Sequence, residues 1–576
     1  MRFLSFLSLI PLTLFALSSE EEGIRRVQAH LLVDDTPSAL EEALQLANRF
    51  PDSKESGSIL IEALAANRMD EEALDVWHRL SVKYPELLVD RYLLEELSWG
   101  VLKKGVESMQ YGVRLTSLIG AYLTKDARAV QILVRMMRDS NAIIRSVAVQ
   151  MSTSYADAAL KDEISRLIHE EKVWMVRLEV IRAAGALRMK SLVPKLQGYV
   201  SSDHSTFEER GAAIEALVRI YDKIDLPELQ KLSASNRAGL RHLACSLASY
   251  FQIEEAQSEI IRLIGDSHPD VRIAALNAFG LFYRHQMEKG EGREAIEGAL
   301  KDSDPAVAIT ASWAALLIDP PFGEPFMARW LSDSLPENRR LAAGALAATG
   351  GKAVSLGIQT LKENADPYVR VNVAVGLLGQ RAEIAPCCDM IYEFLQSEKR
   401  MWMRDNRRNP LFSVLAPSQV RHVDQVPNYP EAIDHMTRLE TVSLLAMVED
   451  PRAPGALKSF LQRKSWGITG VAAATLLQEG DESSLEIVRE LLKDSDPNVR
   501  LQACLVLAMM GRDETVVKEL QTAYIDATHE KKMQILEAMG RIGQMEALSF
   551  LISTLREPFP NLRSSAAAAL IQTLNR

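Results

Sequence analysis

The sequence predicts an all-α chain, an α-solenoid of about 14 helix pairs preceded by two further helix pairs. Three observations predict it. First, a short string recurs: Asp-Ser-His-Pro-Asp-Val-Arg at 266–272 returns as Asp-Ser-Asp-Pro-Asn-Val-Arg at 494–500, with related strings at 302–307 and 365–370. Second, the recurrence has a period near 31 residues, the spacing of a two-helix unit that stacks on copies of itself. Third, apolar residues make up 47% of the chain and aromatics only 6%. The apolar residues are chiefly Leu, Ala, Val and Met, which suit helix-on-helix packing better than strands. A chain of 576 residues is too long for one compact core. A repeat array escapes that limit because each unit packs on its neighbours.

The closing Arg of the string serves as an anchor for the register. Equivalents fall at Arg114, Arg145, Arg177, Arg210, Arg241, Arg272, Ala308, Arg339, Arg370, Arg438, Thr469, Arg500, Lys532 and Arg563. Steps are 31 to 33 residues except for 36 after Arg272 and 68 after Arg370. Three residues past the anchor sits a small residue, as at Ala148, Ala213, Ala244, Ala275, Ala342, Ala503 and Ala566. Seven past it sits an apolar one, as at Leu217, Phe279, Leu346, Leu377, Leu507 and Leu570. Positions −1, +3 and +7 share one helix face. Gly350, Gly480, Gly511 and Gly543 fall at +11, where a glycine ends a helix. Asp304-Pro305, Asp366-Pro367 and Asp496-Pro497 read as an N-cap followed by Pro at the first helical position. The anchor helix therefore starts at the Pro and runs about 12 residues, and an upstream helix such as 484–493 completes the pair.

These motifs resemble the HEAT family, in its short variety named after the phycobilin lyases, over residues 90–576. In that family Asp and Arg form ladders between successive repeats. The resemblance implies that role for Arg145, Arg177, Arg272, Arg370, Arg500 and Arg563, with Asp266 and Asp494 as acidic rungs; Ala308 and Thr469 interrupt the ladder. Residues before 90 have another period. Ala39-Leu40 to Phe50-Pro51 returns as Ala73-Leu74 to Tyr84-Pro85 with a shift of 34, which looks like a tetratricopeptide (TPR) segment capping the N-terminal end. Helix pairs stacked at about 10 Å each predict a curved rod on the order of 140 Å along its path.

Residues 1–18 read as a secretory signal peptide. Arg2 is their one charge, 3–17 are mostly apolar, and Ala16-Leu17-Ser18 supplies small residues for cleavage. The run is shorter than a membrane span and interrupted by Pro11. The expected organisation is thus 1–18 signal peptide, 19–90 TPR-like, 91–396 HEAT-like repeats, 397–430 an irregular basic and Pro-rich insertion, and 431–576 HEAT-like repeats. The insertion fills the 68-residue step. Its Arg400, Trp402, Arg404, Arg407 and Arg408 form the basic and aromatic cluster of a chain whose net charge is −11. Trp and Arg are the side chains that binding surfaces favour, and an acidic partner is expected to meet these five. A solvated loop folded across the groove is the other reading.

Cys245, Cys387, Cys388 and Cys504 make no disulfide framework. Cys245 and Cys504 share one repeat position and read as core residues, whereas the adjacent Cys387-Cys388 leaves a redox role open. Ten histidines show no metal-ligand spacing. HEAT-like deoxyhypusine hydroxylases carry His-Glu pairs just after the anchor, but here His169-Glu170 and His529-Glu530 precede anchors, and Leu243 follows His242. No phosphate loop or nucleophile elbow occurs. No catalytic, cofactor or metal residue is expected, and the acidic chain is not expected to bind nucleic acid. The expected function is that of an exported scaffold, periplasmic or secreted. It binds protein partners through its curved helical surface and through the 397–430 insertion. One alternative is a docking component of a bacterial envelope or secretion system. The other is a lyase-like enzyme, disfavoured because export separates it from cytosolic phycobiliproteins.

Overall fold

The computed structural model describes residues 19–284, 292–396, 401–419, 429–461, 482–509 and 514–576. The expected signal peptide, Arg400, the anchor Thr469, Gly480 and Gly511 lie outside them. The described chain is almost wholly helical and alternates short helices with longer ones that carry the anchors. Thirteen anchors fall among the described residues, and all but Arg438 are the fourth residue of their helix, as in Pro269–Leu281, Pro336–Ala347 and Pro497–Met509. Asp304 caps its helix as the sequence predicts, accepting from the backbone N–H groups of Ala306 and Val307 at 2.8 and 3.4 Å. The +3 alanines are buried. Small residues set how closely helices approach: a Cβ added at Gly376 would come within 2.6 Å of the Cα and Cβ of Ala347.

Among the described residues, the chain-reversing position at +11 is left-handed in seven repeats. Gly350 and Gly543 take φ of 62° and 67° there, and Lys125, Arg188, Gln252, Arg381 and Glu449 take φ between 49° and 58°. Gly543 is itself the C-cap, whereas Gly350 opens a short 3-10 turn after its helix has ended.

The chain forms two compact units. One joins residues up to Ile132 with Tyr524–Arg576, and the other is Leu133–Ala523. The first unit begins with helices Ser19–Leu32, Thr36–Arg49, Lys54–Ala66 and Asp70–Lys83, two hairpins related by the 34-residue shift. Its C-terminal helix, Pro560–Leu574, packs on Arg91–Gly105 and Tyr111–Leu123. Ser117 and Ser564 share a buried hydrogen bond of 2.8 Å, and Gln572 donates to the Leu123 carbonyl at 2.8 Å. Arg563 donates to Glu71 at 3.0 Å, beside the buried Asp70 that Lys104 also holds. Residues 556–576 pack against residues 70–123, because the last repeat's apolar face finds the N-terminal helices rather than water.

The second unit holds the remaining repeats and a two-stranded antiparallel hairpin, β1 (Trp402–Asp405) and β2 (Val414–Pro417), in the register Trp402–Pro417 to Asp405–Val414. Among the described residues no helix is long and apolar enough to cross a membrane. No group of three His, Cys, Asp or Glu among them is placed to hold a metal ion.

Candidate partner-binding site

In five of the described repeats the anchor guanidinium has two tasks. One nitrogen reaches back to carbonyls five or six residues earlier, as Arg145 does to Asp139 and Ser140 at 2.8 and 3.1 Å. The other side reaches the next repeat. Arg145 grips Glu171 at 2.8 and 3.0 Å, Arg177 meets Glu209 at 2.8 Å, Arg241 grips Asp266 at 2.6 and 2.7 Å, Arg272 meets Asp302 at 2.9 Å and Arg339 holds Asp366 at 2.7 Å. Burial pushes the Asp266 carboxyl upward, and the Arg241 hydrogen bonds and charge together with the His268 N–H outweigh it and hold it below its usual range. The rungs assigned to Arg145, Arg177, Arg272 and Asp266 are in place. Four other assignments differ. Arg370 donates to the Leu361 carbonyl at 3.0 Å, and Arg500 to the Asp494 and Ser495 carbonyls at 2.8 and 3.1 Å. Asp494 pairs with Lys458 at 2.6 Å, where the preceding anchor position holds Thr469. Arg563 reaches the N-terminal Glu71 instead of a following repeat.

The insertion forms the hairpin and straps across the anchor helices of four repeats. Asn409 is fully buried; it exchanges amide hydrogen bonds with Asn277 at 2.9 and 3.0 Å and donates to Thr310 at 3.0 Å. Phe412 sits edge-on against Trp313 at 5.5 Å. Val414 fills the space that a Cβ on Gly344 would occupy. Asn372 reads the backbone of β2: it accepts from the Leu415 N–H at 2.7 Å and donates to the Leu415 carbonyl at 2.9 Å. These contacts come from positions +2 and +5 of successive anchor helices. In earlier repeats position +5 is Gln150, Arg182 and Glu215, all exposed.

The sequence-predicted cluster divides. Trp402 is 1% exposed, so it is no surface anchor. Its indole stacks on Phe394 at 4.1 Å and lies 4.1 Å from the Arg438 guanidinium, while the backbone N–H of Trp402 donates to Asp434 at 2.6 Å. Arg438 is itself buried and paired with Asp434 at 2.9 Å. Arg404 donates to Glu440 at 2.6 Å and to Ser413 at 3.2 Å. Arg407 grips Asp405 at 2.8 and 2.9 Å and reaches Gln419 at 3.2 Å. Arg408 is exposed. Sequence reasoning missed Arg340, which faces these residues from the helix Pro336–Ala347. Between that helix and the hairpin opens a cleft of about 420 Å³, lined by Glu337, Arg340, Leu341, Asp405, Arg407, Arg408, Val414, Ala416 and Gln419. The signal available in the sequence was the Asn277, Trp313 and Asn372 series, large or amide side chains recurring on one helix face.

Cys387 and Cys388 are buried, and burial pushes their thiols up to about 12 and about 11. They are therefore thiols rather than reactive thiolates.

An array of stacked helix pairs carrying guanidinium-to-carboxylate rungs and an internal strap defines an α-solenoid repeat protein. The family model for HEAT repeats matches residues 456–531 and 485–572. No curated relative matches the sequence. Among solved structures, the complex of CpcE and CpcF of phycocyanin lyase from Nostoc sp. PCC7120 is similar at 19% identity, covering 46% of this chain and 92% of that one with a TM-score of 0.27. The UNC-45 chaperone, which binds and folds muscle myosin, is similar at 12% identity, covering 96% of this chain and 82% of that one with a TM-score of 0.32. Kap121p matches at 12% identity, covering 96% and 85% with a TM-score of 0.32.

Proposed function

We propose that this chain is an exported, non-catalytic scaffold that binds protein partners along the inner face of its anchor helices. One observation carries the reading. The face already holds an extended segment of its own chain, with Asn372 bonded to both backbone groups of Leu415. Backbone groups are common to all peptides, so a face that grips one extended segment has the chemistry to grip another. The repeats before the strap leave Gln150, Arg182 and Glu215 exposed at the equivalent positions. Export is supported by the apolar stretch at 3–17 and the small residues up to Ser18.

Two experiments test the reading. Crosslinking and capture from envelope extract should recover a defined partner, and Arg182→Glu with Glu215→Arg should reduce its recovery. Equal recovery with both substitutions places binding elsewhere on the chain. Mass spectrometry of the native protein should find a chain beginning near Ser19, whereas an intact Met1 refutes export by cleavage.

A further inference from the structure

The strap leaves one recess unfilled, and its charges are unbalanced. Three guanidiniums (Arg340, Arg407 and Arg408) line the cleft against two carboxylates, Glu337 and Asp405. Asp405 is fully engaged by Arg407, and the Arg407 hydrogen bonds hold its carboxyl below the usual range. Arg408 has no hydrogen bond or ion pair among the described residues. Arg340 makes no close ion pair among them, although its charge also helps hold the Asp405 carboxyl low; its guanidinium lies 5.8 Å from the Tyr368 ring, over its face. Leu341, Val414 and Ala416 supply an apolar side to the same cleft.

We propose that this recess binds an acidic peptide segment of a protein partner, with Arg340 and Arg408 as the carboxylate-gripping forks. The proposal rests on the scaffold reading and names the partner chemistry. A guanidinium offers two parallel donors that match a carboxylate, and the two open forks provide that geometry twice. Arg407, fixed by Asp405, adds a positive charge without having to be ordered on binding. The apolar side accommodates the methylene stems of Glu side chains or their apolar neighbours. A nucleic acid or a polyphosphate fits less well. Glu337 and Asp405 reduce the recess to one net positive charge, and the chain around it carries −11. Single carboxylates spaced along a peptide match that field better than a dense polyanion.

The probe is a fluorescein-labelled twelve-residue peptide of alternating Glu and Ala, read by anisotropy against the full chain at two salt concentrations. Saturable binding that weakens with salt is expected, and the matching Gln-Ala peptide should not bind. The double variant Arg340→Ala, Arg408→Ala should bind at least about tenfold more weakly, the loss expected for charge-assisted hydrogen bonds. Arg237→Ala, at an exposed arginine outside the cleft, should bind like the wild type. If the double variant does not fold, Arg408→Glu at the exposed hairpin position supplies the same comparison. Absence of saturable binding overturns the proposal. So does equal binding by wild type and variant, or preference for a phosphoserine peptide that the Glu peptide cannot displace. Capture of a defined partner equally by wild type and double variant would leave the scaffold reading standing and remove the recess from it. Peptide binding lost in the variant, with no partner captured, would do the reverse.

Discussion

At the scale of single residues, the repeat imposes one backbone requirement that the sequence meets unevenly. Position +11 is left-handed in seven described repeats, and glycine meets it at Gly350 and Gly543, but Gln252 holds φ of 53° there with a side chain. A non-glycine residue in this region costs on the order of 1 kcal/mol or more, partly offset by the greater freedom glycine has when unfolded. Gln252→Gly should therefore raise stability by about 0.5–1 kcal/mol in urea denaturation, and a loss of stability would show that the Gln252 side chain makes a contact that matters more. A second residue governs pH dependence. Burial pushes Glu62 up to about 7, with Glu96 and Asp90 adding repulsion against the hydrogen bond from Tyr92. A carboxyl raised in the folded state binds its proton more tightly there than when unfolded. Its contribution is present below the ordinary glutamate range and is lost as pH rises toward 7. Glu62→Gln should match the wild type near pH 4 and exceed it by on the order of 1–2 kcal/mol at pH 8. A difference that does not change with pH would remove Glu62 from this role. The ladder carboxylates run the other way: Asp266 and Glu171 are held low, so their contribution is lost as pH falls below the ordinary carboxylate range.

At the scale of elements, the hairpin is a brace before it is anything else. Trp402, Phe412 and Asn409 are buried against helices from successive repeats. Trp402→Ala should cost about 3–5 kcal/mol, as deletion of a buried aromatic does. Its effect should be concentrated in the second unit, since repeats couple to their neighbours. Hydrogen exchange should show protection lost first around Phe394, Asp434 and Arg438. A variant with an unchanged melting curve would mean the indole is not packed as described. The anchor helices show the same division between local and distant causes. The Asp caps and Pro starts were readable because they act within one turn. The strap was readable only as an irregularity, because its partners lie far away along the chain; Asn277 and Asn409 are 132 residues apart.

At the scale of the whole molecule, the two chain ends share one compact unit. Pro560–Leu574 covers the helices Arg91–Gly105 and Tyr111–Leu123, and Arg563, Arg556 and Gln572 bond to residues near 71–75 and 123. Removing residues 556–576 should expose that apolar face and the buried Asp70. Amide protection in residues 91–123 should then collapse while residues 238–281, in the other unit, keep theirs. Retained protection in 91–123 would show that the N-terminal helices stand without the C-terminal ones. The same deletion should lower solubility, since contiguous apolar surface promotes association.

The sequence by itself determined the helix pairs, their register and their caps, because these follow from contacts within a few residues and from a period that repeats. It also marked 397–430 as the departure and named Arg407 and Arg408, which line the cleft. It could not assign the rungs fully. Glu209 pairs with Arg177 from one residue before its own anchor, whereas Asp266 pairs with Arg241 from six before its own. A guanidinium's reach depends on how one helix pair rotates on the next. It could not bury Trp402, bring Arg340 to Arg408, or join Arg563 to Glu71 across 492 residues. Those pairings carry no local pattern. They are decided by how each packed face is completed by side chains from elsewhere in the sequence, as Ser117 is by Ser564 within the first unit.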